Sequence, residues 1–392
     1  MDAVISCDRG VEAIVMEELA SLGWESSKLK SSKVLIRNVS DGDIALLNLY
    51  PFTVNRVYLL LGEFQVPDLR EIRRAAETID YSTYLKPRQT FGVVGRRQGS
   101  HDFTSVDVAR ETGTAITRHF ELFDADERPV VHLNDPDVQF VAELSGSNLL
   151  LMINTSGQPL QHRIKRPFIH TAGLKPPLAA ALLHLSSWKE MGGFLDPFAG
   201  GGTIPMVAYM QCTGRIPGMY YDHEQFLFRN LRFLDPETIR DKLQSAVRTD
   251  AAHPCPQDIR AGDRFMKSVS GMKQNLAHFG WENNVTLYHG IAENLNYLED
   301  DAVKCIVTNP PYGLRIGSPH VIDLIYQNFA QACARKGIRE VTALTPRKRS
   351  WLSSFRKAGY KEDLCMKITF GNLPVFIIRV KSPEKRKRPL GT

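Results

Sequence analysis

Cysteine is scarce in this chain: there are six in 392 residues, at Cys7, Cys212, Cys255, Cys305, Cys333 and Cys365, with no Cys-x-x-Cys pair. Such scatter argues against a zinc site or thiol-redox chemistry. Long apolar runs are also missing, so no segment reaches the length of a membrane span. The first residues, Met1-Asp2-Ala3-Val4, lack the basic and apolar regions of a signal peptide. A reducing, cytoplasmic setting with no membrane partner is the resulting expectation. No repeat of about 20–50 residues recurs. Neither sign of charge dominates, since 49 Lys and Arg against 43 Asp and Glu leave a net +6. That mild basicity admits a polyanionic partner without requiring one.

What is present is an ordinary globular composition, 43% hydrophobic and 23% charged, in a chain too long for one ordinary core. Hydrophobic periodicity divides it. Residues 1–63 read as a small α+β unit, in which a helix after Asp8 carries Val11, Ile14, Val15 and Leu19 and stops at Gly23. Residues 64–165 read as a second unit. Its expected parts are a helix over 69–79, a strand over 91–94, a basic loop from Gly95 to Ser105, a helix over 106–120 and strands over 138–144 and 149–153. Residues 166–382 alternate strand and helix and end in a hairpin around Gly371-Asn372-Leu373-Pro374. Between Met210 and Gln257 lies an insertion with Tyr220, Tyr221, Phe226, Phe228, Arg229 and Phe233. A local satellite core and an RNA-stacking surface would both use those aromatics. Residues 383–392, with Lys385-Arg386-Lys387-Arg388, form a basic tail.

Chemistry concentrates at Thr308-Asn309-Pro310-Pro311-Tyr312-Gly313, which follows the apolar strand Val303-Lys304-Cys305-Ile306-Val307. An exocyclic amine is a weak nucleophile because its lone pair is delocalised. The Asn309 side-chain oxygen and the Pro310 carbonyl oxygen could both accept its hydrogens. Pro310 and Pro311 stiffen the backbone and remove competing donors, and Tyr312 can stack on a planar base. A strand's carboxyl end is where open α/β sheets bind ligands.

Upstream, Leu195-Asp196-Pro197-Phe198-Ala199-Gly200-Gly201-Gly202-Thr203 reads as a strand, a glycine turn and a helix start. The glycines let a ligand approach the backbone, and Asp196 could bind an ammonium group. Asp263 ends the next strand, where an acid suits two ribose hydroxyls or caps the following helix. The order of glycine loop, acidic strand end and Asn-Pro-Pro-Tyr fits an adenosine-containing methyl donor beside an amine acceptor.

With these residues the chain resembles the class I S-adenosylmethionine-dependent methyltransferases of the amino-group branch. It is most similar to the THUMP-containing RNA guanine-N2 methyltransferases, in particular the archaeal-type branch acting on guanosine 6 of tRNA. The resemblance covers nearly the whole chain. Arg96-Arg97 through Ser100-His101-Asp102-Phe103-Thr104-Ser105 looks like the THUMP signature. Arg166 through Leu182 looks like the helix leading over the donor. Asp196 through Ile204 matches the donor loop, and Thr308 through Arg315-Ile316-Gly317 matches the catalytic loop with its basic extension. Two positions depart from the pattern. Val207 stands where a glutamate is common, and Ile291 where an aspartate normally contacts adenine, with Glu293 close by.

The resemblance implies an α/β fold. A Rossmann-like methyltransferase domain (166–382), mostly parallel with an antiparallel terminal hairpin, would follow a ferredoxin-like α+β domain (1–63) and a THUMP RNA-binding domain (64–165). It implies S-adenosylmethionine held by Thr171, Asp196, Pro197, Phe198, Ala199, Gly200, Gly202, Thr203, Asp263, Arg264, Ala292 and Asn309. It implies catalysis at Asn309, Pro310, Pro311 and Tyr312, with no metal and no general base. The partner would be tRNA, gripped at its acceptor stem and 3′ end. Candidate contacts are Arg73, Arg74, Arg96, Arg97, His101 and Arg315, each of which also reads as part of a solvated basic face. A monomer is expected, and a small activator protein is left open. Rival readings are a 23S rRNA guanine-N2 methyltransferase and a catalytically weak RNA-binding THUMP protein.

Overall fold

The computed structural model describes residues 1–392 apart from 122, 171–172, 250–252, 300–302, 314–318 and 384–392. Thr171, Arg315 and the basic stretch of the tail therefore lie outside the described residues. The chain sorts into two compact units. One comprises Met1–Cys7, Val15–Ile164 and Pro217–Asp250, the other Asp8–Ile14, Lys165–Ile216 and Ala251–Thr392.

From the N-terminus the chain forms β1 (Asp2–Ser6), α1 (Glu12–Ser21), β2 (Ser27–Lys30), β3 (Lys33–Ile36), α2 (Asp41–Leu49), β4 (Arg56–Gln65), α3 (Leu69–Glu77), β5 (Thr90–Gln98), α4 (Ser105–His119), β6 (Val130–Val131), β7 (Val138–Ser145) and β8 (Asn148–Asn154). Local chemistry starts the helices. Asp68 accepts from the backbone of Arg70 and Glu71 ahead of α3, and Thr104 and Asp107 make a capping box on α4. The eight strands form one sheet in the order β2-β3-β1-β4-β8-β7-β5-β6. The boundary expected at 63/64 falls inside β4, because β4 pairs with β1 on one side and β8 on the other.

One face of this sheet is covered by α3 and α4 over Ile72, Ala76, Val108, Ala115, Leu144 and Leu151. The other face gathers Val4, Leu35, Tyr58, Val141, Leu150 and Met152. That face curls on itself. Lys33 on β3 lies 3.1 Å and Lys30 on β2 3.0 Å from the Glu143 carboxylate on β7. In a flat sheet β3 and β7 would stand about 19 Å apart. Arg96, expected in a loop, lies in β5, which continues past Gly95 because it pairs with β7 as far as Gln98. Its guanidinium is 3.5 Å from Glu143 and donates to the Tyr58 hydroxyl at 3.2 Å. Gly95 is required by close approach, since a Cβ there would lie 1.9 Å from the Ser105 carbonyl oxygen of α4.

The second unit contains α5 (Pro176–His184), β9 (Gly193–Asp196) and α6 (Thr203–Cys212). The insertion follows with α7 (Pro236–Thr249). Then come β10 (Asp258–Asp263), α8 (Met266–His278), β11 (Thr286–His289), β12 (Cys305–Thr308), α9 (Pro319–Arg335), β13 (Glu340–Thr345), α10 (Lys348–Lys357), β14 (Lys361–Phe370) and β15 (Leu373–Lys381). The sheet order is β11-β10-β9-β12-β13-β15-β14, parallel except for β15, which runs antiparallel to both its neighbours. Strand order reverses between β9 and β12, which creates a crevice at their carboxyl ends. Ile306, Val341, Tyr326, Phe329, Trp351 and Phe355 fill the core beside it.

The insertion packs into the first unit. Phe226 and Phe228 are 1% and 0% exposed, with stacked rings 5.2 Å apart. The Phe228 amide donates to the Thr155 carbonyl at 2.9 Å, and the Asn230 side chain donates to the Asp137 carbonyl at 2.9 Å. Its central aromatics are thus core, the first of the two roles open to them. At its two ends, in the second unit, Cys212 and Cys255 form a disulfide. The cysteine scatter along the chain hid this pair because the insertion brings residues 43 apart in sequence together.

Candidate active site

The glycine loop leaves β9, whose four residues are all buried. Gly200 and Gly202 adopt φ of +54° and +79°, which L side chains rarely tolerate, and Gly202 then starts α6. The loop is pinned from β10: the Ala199 amide donates to the Gly262 carbonyl and the Gly200 amide to Asp263 Oδ2, both at 3.0 Å. Asp263 Oδ1 accepts from the Phe265 amide at 2.9 Å. Asp263 therefore organises the turn into α8 and the glycine loop together. Two further lone-pair positions remain on its carboxylate for a ligand.

The segment before α5 closes over this loop. Arg166 donates to the Thr203 hydroxyl, and burial lowers the pKa of its guanidinium. The His170 ring stands 3.4 Å from where a Cβ on Gly200 would be. Asn275 on α8, fully buried, was not singled out from the sequence. Its side chain accepts from the Phe168 amide and donates to the carbonyls of Phe168 and Gly201, each at 2.9 Å. An isolated Asn inside a helix carries no local signal of such a clamp.

Asn309 follows β12 and is half-buried, Pro310 is buried and Pro311 exposed. Thr308 donates from its hydroxyl to Asp196 Oδ1 at 2.6 Å, which ties the end of β12 to the start of the glycine loop. Asp196 is 1% exposed and its Oδ1 also accepts from the Phe198 amide, so the carboxylate braces the loop through that oxygen. Burial pushes its pKa up to about 7, the Asp263 charge adds to that, and the two hydrogen bonds oppose it. The Tyr312 hydroxyl donates to Asn309 Oδ1. Burial raises the pKa of that phenol, keeping it protonated as a donor. Tyr326 donates to the Pro311 carbonyl at 2.8 Å and meets the Thr345 hydroxyl at 3.0 Å.

The remaining candidates scatter. Ala292 is 2% exposed, and its side chain packs in the core. Arg264 pairs with Glu293 at 3.4 Å and lies over the Phe265 ring. In the first unit Arg73 pairs with the largely buried Glu111, and Arg74 with Glu71. Arg97 donates to the carbonyls of Gly99 and His101, and His101 meets the Gly146 carbonyl at 2.9 Å. Among the described residues no group of three His, Cys, Asp or Glu could hold a metal ion. No helix among them is long and apolar enough to cross a membrane.

A parallel sheet ending in an antiparallel hairpin, a glycine loop at the switch point and an Asn-Pro-Pro-Tyr turn on the next strand define a class I methyltransferase. The RMKL-like methyltransferase domain matches residues 163–374 and a THUMP domain matches residues 66–154, so this chain belongs to the RMKL-like methyltransferase family. It is 27% identical over 383 residues to the tRNA (guanine(6)-N2)-methyltransferase of Methanocaldococcus jannaschii, covering 95% of this chain and 98% of that protein. It is 30% identical over 329 residues to the protein of the same name from Archaeoglobus fulgidus, covering 83% and 78%. TrmN from Thermus thermophilus superposes with a TM-score of 0.68 at 20% identity, over 97% of this chain and 99% of that one.

The class uses S-adenosylmethionine, and the residues present fit it. Gly200 and Gly202 make a left-handed turn that carries no side chains of its own, and Asp263 retains acceptor capacity beside it. Phe265 and Ile291, 54% and 44% exposed, hold apolar surface open at the ends of β10 and β11, where a planar base can lie.

Proposed function

We propose that this protein transfers a methyl group from S-adenosylmethionine to the exocyclic N2 of a guanosine in tRNA, at position 6 of the acceptor stem. The single observation that carries the reading is the placement of the Asn309 acceptor and the glycine loop on adjacent strands, joined by the bond from Thr308 to Asp196. Guanine and tRNA as substrate are supported by the two relatives named above, aligned over most of their lengths. A ribosomal RNA large subunit methyltransferase K/L from Ectopseudomonas mendocina, 26% identical, is spanned for only 47% of its length. That supports the rRNA alternative less well.

S-adenosylmethionine supplies a methyl carbon already activated by its sulfonium. The protein's work is positioning. Asp263 would bind the ribose hydroxyls, and the backbone of Gly200 and Gly202 would hold the donor. The target guanine leaves its stack to reach the site. Its N2 group takes the place of the Tyr312 hydroxyl on Asn309 Oδ1 and gives a second hydrogen to the Pro310 carbonyl. The freed Tyr312 ring covers the base. These acceptors draw electron density towards the nitrogen as it attacks, and the released proton passes to solvent. The THUMP domain grips the tRNA through shape and phosphate contacts.

The test is nucleoside mass spectrometry of tRNA and rRNA treated with the purified protein. N2-methylguanosine in tRNA at position 6 is expected, and a product only in rRNA would refute the tRNA assignment. Asn309→Ala should lower kcat at least about a hundredfold, the scale of losing one preorganised transition-state contact. Its tRNA affinity should stay within about twofold of the parent. Equal loss of binding and rate would remove Asn309 from the proposed role.

A further inference from the structure

The residues just past β13 are Pro346-Arg347-Lys348-Arg349, and they open α10. A helix start favours acids and disfavours cations, yet the first turn of α10 has no acid and the whole helix carries only basic charges. Such a local conflict marks function more often than stability.

Position supports the same conclusion. β13 is the parallel neighbour of the catalytic strand β12. A run of hydrogen bonds joins the two loops. The Pro311 carbonyl accepts from Tyr326, Tyr326 meets the Thr345 hydroxyl, and Thr345 Oγ1 accepts from the Arg347 amide at 3.1 Å. The basic turn is thus linked to the catalytic tetrapeptide through Tyr326 and Thr345. Arg347 is held by Asp323 at 2.7 Å. Lys348 stands 5.5 Å over the Phe376 ring, and Lys367 lies directly opposite Phe376 on the partner strand. Arg349 and Lys367 are exposed, and no ion pair holds either among the described residues. Asp323 and Glu362 are the acids nearby, the first committed to Arg347 and Ser350.

We propose that Lys348, Arg349 and Lys367 form a phosphate-binding rim that holds the RNA backbone beside the nucleotide being methylated. This rests on the reading of the protein as an RNA methyltransferase. Its ligand is a phosphodiester chain. Cations at this end of the sheet bind the flanking backbone through charge and carry no base specificity. Held on rigid strand and helix ends, they fix the depth to which the extruded nucleotide enters the pocket.

The test compares the full-length protein with R349Q/K367Q. Affinity for the tRNA that the parent methylates is measured across a salt series, and donor affinity by calorimetry. The log–log salt slope should fall by about two, roughly one per cation removed. KM for tRNA should rise several-fold, and donor affinity should be unchanged. R349K/K367R should restore the slope. An unchanged slope, with the parent still binding and methylating tRNA, overturns the rim and leaves the patch to an acidic protein partner. A reduced slope that R349K/K367R does not restore also overturns it. If the parent neither binds nor methylates RNA, the functional reading fails and the rim with it.

Discussion

Replacing Asp196 with asparagine tests the physics of the site most directly. The carboxylate is 1% exposed, accepts from the Thr308 hydroxyl and the Phe198 amide, and has its pKa raised by burial to about 7. The folded state therefore holds the proton more tightly than the unfolded chain does. The associated stability is fully present below the ordinary carboxylate pKa and is lost as pH rises through about 7. A rise of that size corresponds to roughly 4 kcal/mol when the group is fully ionised, an upper bound because relaxation reduces the penalty. The substituted amide would keep an acceptor for both donors but could not ionise. Relative to the parent, Asp196→Asn should gain stability steadily between about pH 4 and pH 8, by about 1–4 kcal/mol in total. Denaturant unfolding followed by tryptophan fluorescence suits the measurement, since Trp188, Trp281 and Trp351 all belong to the second unit. If the difference between variant and parent is flat across that range, Asp196 does not titrate as argued and the burial argument fails.

Other consequences can be tested on the same material. The Tyr297 hydroxyl is buried without a hydrogen-bond partner among the described residues, so Tyr297→Phe should leave stability unchanged or raise it by up to about 1–2 kcal/mol. A loss of stability would reveal an overlooked partner. Cys212→Ser should cost about 2–4 kcal/mol, read as a lower denaturation midpoint. Free-thiol titration of the unfolded, unreduced protein should count Cys212 and Cys255 as blocked. If reduction leaves the midpoint where it was, the bond is not a support.

The turns that build the site were legible because their geometry is written in contiguous residues. Gly200 and Gly202 need left-handed backbone within a single loop, and Asn309 through Tyr312 form one rigid turn at a strand end. The Thr104 and Asp107 cap on α4 is equally local. Amino-acid type alone set these features, because each depends on neighbours a few bonds away.

Tertiary structure decided what those residues touch. Arg96 has the composition of an RNA contact, but the curl of the sheet brings it to Glu143 and Tyr58. Asp196 reads as a ligand-binding acid in the sequence, and folding adds Thr308, 112 positions later, as a donor to it. Asn275, the disulfide between Cys212 and Cys255, and the membership of residues 217–250 in the first unit are likewise set by segments that meet only when the chain closes. Local sequence encodes torsions and periodicity. Charge pairing and burial depend on which distant surfaces displace water together, and folding alone determines that.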